Sequence, residues 1–151
     1  IDQDGDENYQ PMLIPIDGGI PESLAGDLFR GQQVLCSKCD PDLNLALFSV
    51  DPRSEPLNYT WRADLASGGL VALGNSPYGN FALCVNDDYT DVILADSYTV
   101  GDLVLYRWQA AIGERQLLFG TPLADRPEGA REQLNGMTSA ELAADGLLTV
   151  S

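Results

Sequence analysis

The sequence contains no histidine and only one lysine, Lys38, among its 151 residues. Without histidine, the chain cannot build Ser-His-Asp or Cys-His catalytic arrangements, and it lacks the commonest general base. Paired carboxylates remain available as catalytic groups. The candidate pairs, Asp40 with Asp42 and Asp87 with Asp88, lie where turns are expected, and Asp is common in turns for local hydrogen-bonding reasons. We therefore expect the chain not to be an enzyme.

Basic residues as a class are scarce. Eight Lys and Arg stand against 23 Asp and Glu, which gives a net charge of −15. Nucleic acids and anionic membrane surfaces attract proteins chiefly through Lys and Arg, so neither is an expected partner. No apolar run approaches the roughly 18 residues that a membrane span requires, so membrane insertion is not expected either. A charge of this size favours solubility and would steer the chain toward a basic partner.

Cysteine is limited to three positions, Cys36, Cys39 and Cys84. A structural zinc site needs four ligands, so a zinc site built by this chain alone is not expected. Three cysteines allow one disulfide, and we expect Cys84 to pair with Cys36 or Cys39 if the protein is exported. Ile1 stands where an initiator Met would be expected, and a removed leader peptide would indicate export. We therefore expect an extracellular or virion-associated location.

The first sixteen residues differ from the rest of the chain. Residues 1–10 are polar and acidic, and the apolar segment 11–16 that follows contains two prolines, which restrict it to an edge strand or an irregular segment. We interpret residues 1–16 as an extended arm and residues 17–151 as a single β-rich domain. The apolar residues of the arm should contact either a neighbouring subunit or their own domain; they are Met12, Leu13, Ile14 and Ile16.

Acidic residues alternate at the start of this arm, at Asp2, Asp4 and Asp6. This is the spacing of the first half of an EF-hand calcium loop, which also needs Gly at its sixth position and a bidentate acid at its twelfth. Glu7 and Leu13 occupy those two positions. We expect no cofactor, and weak calcium binding at the three aspartates is the one metal alternative.

The residues from 27 to 121 form short apolar runs separated by Gly, Pro, Asn and Asp, a pattern typical of an antiparallel β-sandwich or barrel. Strands are predicted over 27–30, 33–37, 43–50, 57–62, 70–73, 80–85, 91–95, 98–108, 115–120 and 147–151. Between them, Thr138 to Gly146 predicts one short C-terminal helix, because Thr138 and Glu141 have capping-box spacing and Gly146 suits a helix end. The expected fold is therefore mainly β with one short helix.

Aromatic residues alternate along two of these strands. Tyr59 and Trp61 should share one sheet face, and so should Tyr106 and Trp108, which makes either pair a candidate platform for a ligand or partner, with core packing as the alternative.

Segments 42–48, 78–84 and 100–106 share a loose strand pattern that is similar to the Gln-x-Asp-x-Asn-x-Val-x-Tyr strand of bulb-type mannose lectins. The Gln is missing from all three segments, so membership of that family and mannose-specific binding are not expected.

Two predicted strands, at 43–50 and 81–85, are apolar on both faces. Such strands are either covered on both sides or meet another molecule with their outer face. We expect a non-catalytic structural or assembly subunit that acts by protein–protein contact, as a homo-oligomer or with other proteins of an extracellular filament, virion or surface layer. A carbohydrate-binding β module is the main alternative, and an acidic inhibitor or immunity protein for a basic partner is the third.

Overall fold

The computed structural model describes residues 5, 7–137 and 139–151, and these residues are mainly β. Among them, the helical structure consists of one 3₁₀ turn at Leu123–Asp125. Twelve strands follow one another as β1 (Met12–Leu13), β2 (Glu22–Ser23), β3 (Gln33–Asp40), β4 (Leu45–Asp51), β5 (Asn58–Asp64), β6 (Gly69–Ser76), β7 (Gly79–Val85), β8 (Asp91–Thr99), β9 (Asp102–Gln109), β10 (Arg115–Phe119), β11 (Ala140–Leu142) and β12 (Leu148–Val150).

Two four-stranded antiparallel sheets form the body of the molecule. Sheet 1 has the order β3-β4-β5-β6 and sheet 2 the order β7-β8-β9-β10, so strands that are consecutive in sequence are neighbours in each sheet. Only Pro77 and Tyr78 separate the last strand of sheet 1 from the first strand of sheet 2. Both sheets are open, so the β-barrel that was predicted as an alternative to a sandwich is wrong. Two short hairpins, β1-β2 and β11-β12, flank the sheets.

The two sheets repeat one structural unit. Three pairs of equivalent strands begin 46 residues apart, at Gln33 and Gly79, at Leu45 and Asp91, and at Gly69 and Arg115. An irregularity in the first strand recurs at the same interval, between Cys36 and Lys38 in sheet 1 and between Ala82 and Cys84 in sheet 2. A β-bulge is a specific local feature of a strand pair, so its recurrence indicates an internal duplication of a four-stranded meander.

The turns of the two units repeat as well. Gly68 and Gly113, between the third and fourth strands, have φ of 72° and 79°, and each donates its N–H to the carbonyl four residues earlier at 2.8 Å. Asn44 and Tyr89, between the first and second strands, have φ of 55° and 58°, and each donates to the carbonyl three residues earlier. The same backbone path is therefore built twice from different side chains.

Three apolar clusters hold these layers together. The inter-sheet core lies between the sheets and consists of Leu47, Leu73, Tyr89, Val92, Leu94 and Trp108. The front cluster covers the other face of sheet 1 with residues from the preceding turn segment, and it consists of Ala25, Phe29, Val34, Ala46, Phe48, Val50 and Ala63. The rear cluster on the other face of sheet 2 consists of Ile93, Ala95, Leu103 and Leu105, with Met137 and Leu148 packed against it.

The segment apolar on both faces is a central strand covered on both sides in β4, as predicted, whereas β7 is an edge strand whose apolar residues are half-buried. In β4, Ala46 and Phe48 belong to the front cluster whereas Leu47 points into the inter-sheet core, as the two-residue period of a strand requires. In β7, Ala82 packs against the inter-sheet core and Phe81 against the rear cluster. Their apolar composition is thus explained by burial within this chain.

Three sequence-based assignments are corrected. Residues 140–150 form the hairpin β11-β12, not the predicted short helix, and Gly146 (φ 83°) lies in its turn; the predicted cap Thr138 lies outside the described residues. A helix this short gains too little to offset nucleation, and a glycine with positive φ serves a hairpin equally well. Residues 27–30 form turns, although Phe29 is buried. The break between the predicted strands 91–95 and 98–108 lies instead at Val100 and Gly101, between β8 and β9.

The segment predicted as an arm contacts its own chain within its described part. Strand β1 pairs with β2, with Met12 opposite Ser23 and Leu13 opposite Glu22. Upstream of β1, the carbonyl of Tyr9 accepts a 2.9 Å hydrogen bond from the N–H of Val34 in sheet 1. Residues 9–13 are therefore attached to sheet 1 and to the segment that precedes it.

We predict that Phe48→Ala lowers the free energy of unfolding by about 3–5 kcal/mol, because it leaves a cavity in the fully buried front cluster. Leu35→Ala on the neighbouring strand is the control, since Leu35 is 66% exposed and its loss should change stability by less than about 0.5 kcal/mol. Urea unfolding monitored by circular dichroism measures both. Equal effects of the two substitutions would contradict the assignment of the front cluster.

Candidate functional site

A cleft of about 470 Å³ opens where the connection between the two sheets meets the end of β8 and the start of β10. We call it the β8-β10 cleft. Ser76 lines it from the end of β6, Tyr78 from the connection, Asp96 and Tyr98 from β8, and Arg115 from β10, while residues 122–124 form the far wall. The two-residue connection places Tyr78 against Tyr98 of β8. Arg115 pairs with Trp108 of β9 and reaches Asp96 with its side chain, so the cleft combines residues from distant parts of the sequence.

A chain of buried polar side chains leads into this cleft. Thr60 Oγ1 donates to Asn80 Oδ1 at 2.6 Å, Asn80 Nδ2 donates to Asp96 Oδ1 at 2.7 Å, and Arg115 Nη1 donates to the same carboxylate oxygen at 2.9 Å. Asn80 and Asp96 are directly opposite each other in the register of β7 and β8. The hydrogen bonds compensate for the desolvation of the buried groups and fix the position of the Asp96 carboxylate.

The far wall of the cleft is anchored by a buried ion pair. Arg126 donates two hydrogen bonds to Asp102, at 2.6 and 2.8 Å, and its guanidinium lies 5.1 Å from the centre of the Tyr98 ring. These hydrogen bonds hold the pKa of Asp102 below its ordinary value. The Tyr98 hydroxyl in turn accepts a 3.1 Å hydrogen bond from the N–H of Leu123. The Tyr98 ring and the adjacent wall are therefore held in place together.

The cleft combines exposed aromatic surface with balanced charge. The Tyr78 and Tyr98 rings meet edge to face with centroids 5.1 Å apart, and Tyr78 is exposed. Arg115 lies over the Tyr106 ring at 4.2 Å. Burial, with a further contribution from the Asp96 carboxylate, raises the pKa of Tyr106, so its phenol is neutral at physiological pH. This arrangement offers stacking surface and hydrogen-bonding groups, with one positive charge matched to one negative charge.

The aromatic pairs selected from the sequence lie elsewhere. Tyr59 and Trp61 share a face, as predicted, and stack with ring centres 5.9 Å apart on the front of sheet 1. Tyr106 and Trp108 also share a face, but it is the face toward the inter-sheet core, and Trp108 is buried. Alternation identifies residues on one face without showing which face is covered. Tyr78 could not be selected by strand alternation, because it belongs to a connection between strands.

The three cysteines are free thiols. Cys36 and Cys39 pack against the front cluster, whereas Cys84 packs against the rear cluster on the far side of the inter-sheet core. The disulfide expected between Cys84 and one of the other two is therefore absent from the structure. Burial raises the pKa of the Cys36 and Cys84 thiols to about 11 and also raises that of Cys39. All three are weak nucleophiles at neutral pH.

One acid of each candidate catalytic pair, Asp40 and Asp88, accepts hydrogen bonds within its own turn. Asp40 Oδ1 accepts hydrogen bonds from the N–H groups of Asp42 and Leu43. Asp88 accepts from the hydroxyl and the N–H of Thr90, and these bonds lower its pKa. Among the described residues, no group of three or more acids or cysteines is arranged to hold a metal ion. The calcium candidates Asp2, Asp4 and Asp6 lie outside the described residues.

Within the part of the chain that the structure describes, no helix is long and apolar enough to cross a membrane.

We predict that the folded protein reacts slowly with iodoacetamide at pH 8 and faster as the pH approaches 11, because only the thiolate reacts and burial raises the thiol pKa. Unfolding in guanidinium without reductant should release three rapidly alkylated cysteines, counted by mass spectrometry. A single reactive cysteine after unfolding would instead show a disulfide between the other two and contradict the free-thiol arrangement.

Comparison with known proteins assigns no family to the chain. No family model matches its sequence, and no curated protein matches it. The function must therefore be inferred from the residues and geometry of the chain itself.

Proposed function

We propose that the chain is a non-catalytic subunit that acts by protein–protein contact in a structural or surface assembly. The observation that carries this proposal is the open edge of sheet 2. Strand β10 exposes three consecutive large apolar side chains, with Leu117 53%, Leu118 45% and Phe119 50% exposed. In stable monomers, charged residues or prolines usually keep an edge strand from pairing with another chain. In β10 the one such residue is Arg115, at its start.

The backbone of β10 suits strand addition. It pairs only with β9 among the described strands, so the hydrogen-bonding groups on its other side are available to a strand from another molecule. A register shift between Leu117 and Phe119 interrupts the alternation of β10. Because a bulge changes the direction of the side chains that follow it, apolar groups emerge on successive residues and form a continuous contact surface.

The loop between β1 and β2 supports the same proposal. Ile14, Ile16 and Ile20 are all exposed, and Ile16 is fully so. Apolar groups in such numbers on one short loop indicate a contact with another protein. Together with β10, this loop gives the chain two apolar surfaces. We propose that the partner is a second copy of the chain or another protein of an extracellular or virion-associated assembly.

The test replaces two apolar side chains of β10 by charges. We expect the wild type to self-associate in light scattering and Leu117→Lys/Phe119→Lys to be monomeric, since two ammonium groups would have to be buried in the contact. The melting temperature should change little, because both side chains are exposed.

Val100→Lys is the control for adding a lysine to an exposed apolar position away from β10, since Val100 is 98% exposed at the turn between β8 and β9. It should associate as the wild type does. A wild-type protein that stays monomeric at high concentration would refute self-association through β10, and a double variant that associates unchanged would refute β10 as the contact surface.

A further inference from the structure

We propose that the β8-β10 cleft is a binding site for a neutral saccharide. This site does not depend on the contact surface proposed for β10. Its residues are Tyr78 and Tyr98 as the aromatic surface, with Asp96, Arg115 and Ser76 as the polar groups.

The internal duplication indicates that the repeated strand pair does not by itself require the polar groups of the cleft. Val34 and Val50 precede Asn80 and Asp96 by 46 residues each, and they pair across β3 and β4 as Asn80 and Asp96 pair across β7 and β8. All four side chains are buried. The pair of positions in sheet 1 that is equivalent to Asn80 and Asp96 thus consists of two valines. Burying an amide and a carboxylate costs free energy that valines would not cost, which points to a function for the polar pair.

The charges of the cleft select a neutral ligand. Asp96 and Arg115 are the charged residues of its lining, and they are bonded to each other at 2.9 Å. An anion would have to compete with Asp96 for the guanidinium and approach a protein of net charge −15. A cation would have to compete with Arg115 for the carboxylate. A ligand that exchanges hydrogen bonds without bringing a charge leaves this pair intact.

The shape and the remaining lining favour a ring with one apolar face and several hydroxyl groups. The exposed Tyr78 ring offers a stacking face, and Tyr98 meets it edge to face, so two walls of the cleft are aromatic. Pro122 and Leu123 add apolar surface opposite. The volume of about 470 Å³ lies within the usual range of ligand pockets. Saccharides combine such a C–H face with hydroxyls that can bond to Asp96 and Arg115 in the lining of the cleft.

The competing explanation is that the polar chain only aligns the two sheets, since Thr60 of sheet 1 contacts Asn80 of sheet 2. That role would make Asp96 and Asn80 important for stability alone. Tyr78 separates the two explanations, because it is exposed and its side chain is not a member of the polar chain. Removing its ring should affect ligand binding without affecting the alignment of the sheets.

The experiment uses an array of neutral oligosaccharides of glucose, galactose, xylose and N-acetylglucosamine, beside sialylated and sulfated glycans. We expect binding to neutral probes only. For the best neutral probe, calorimetry should show an affinity about tenfold lower in Tyr78→Ala, the effect of losing one aromatic stacking contact, with an unchanged melting temperature. Tyr59→Ala, which removes a ring from the front of sheet 1, is the matched control and should bind as the wild type does.

Asp96→Asn adds a second test, because it preserves shape and removes the charge that orients Arg115. It should also weaken binding of the neutral probe. No retention of any neutral saccharide by the wild type, a preference for charged glycans, or wild-type affinity in Tyr78→Ala would each overturn the proposal.

Discussion

The packing of the two sheets against each other is the contact on which the rest of the structure depends. Leu47 and Leu73 of sheet 1 meet Val92 and Leu94 of sheet 2 in the inter-sheet core. A four-stranded meander with two apolar faces cannot stand alone in water, so each unit needs a neighbour on both sides. The same contact brings Thr60 within hydrogen-bonding distance of Asn80 and so determines where the cleft forms.

The strands could be predicted from the sequence because their side chains alternate or are apolar throughout, and both patterns follow directly from the geometry of a sheet. The C-terminal segment could not, because its cues are shared by two structures: Gly146 adopts positive φ in a hairpin turn as readily as at a helix end. Phe29 shows a similar ambiguity. It is apolar because it packs on sheet 1, although its backbone forms a turn.

The duplication and the β8-β10 cleft could not be predicted from the sequence, for a different reason. The two units share one bulge and two turns, which are backbone properties, while equivalent side chains differ as much as Val50 and Asp96 do. The residues of the cleft are also far apart in the chain, since Asp96 and Arg115 are separated by a whole strand and two turns. Trp108 looked like a ligand platform because alternation does not show which face of a strand is covered.

The central claim is that the two units form one cooperative structure through the inter-sheet core. Native-state hydrogen exchange followed by mass spectrometry tests it directly on the amides of β4 and β8. We predict that these amides exchange with the same free energy of opening, and that Leu47→Ala, which removes a side chain of sheet 1 alone, lowers both values equally. If Leu47→Ala weakened the protection of β4 but left that of β8 unchanged, the two sheets would open independently. That result would contradict this account.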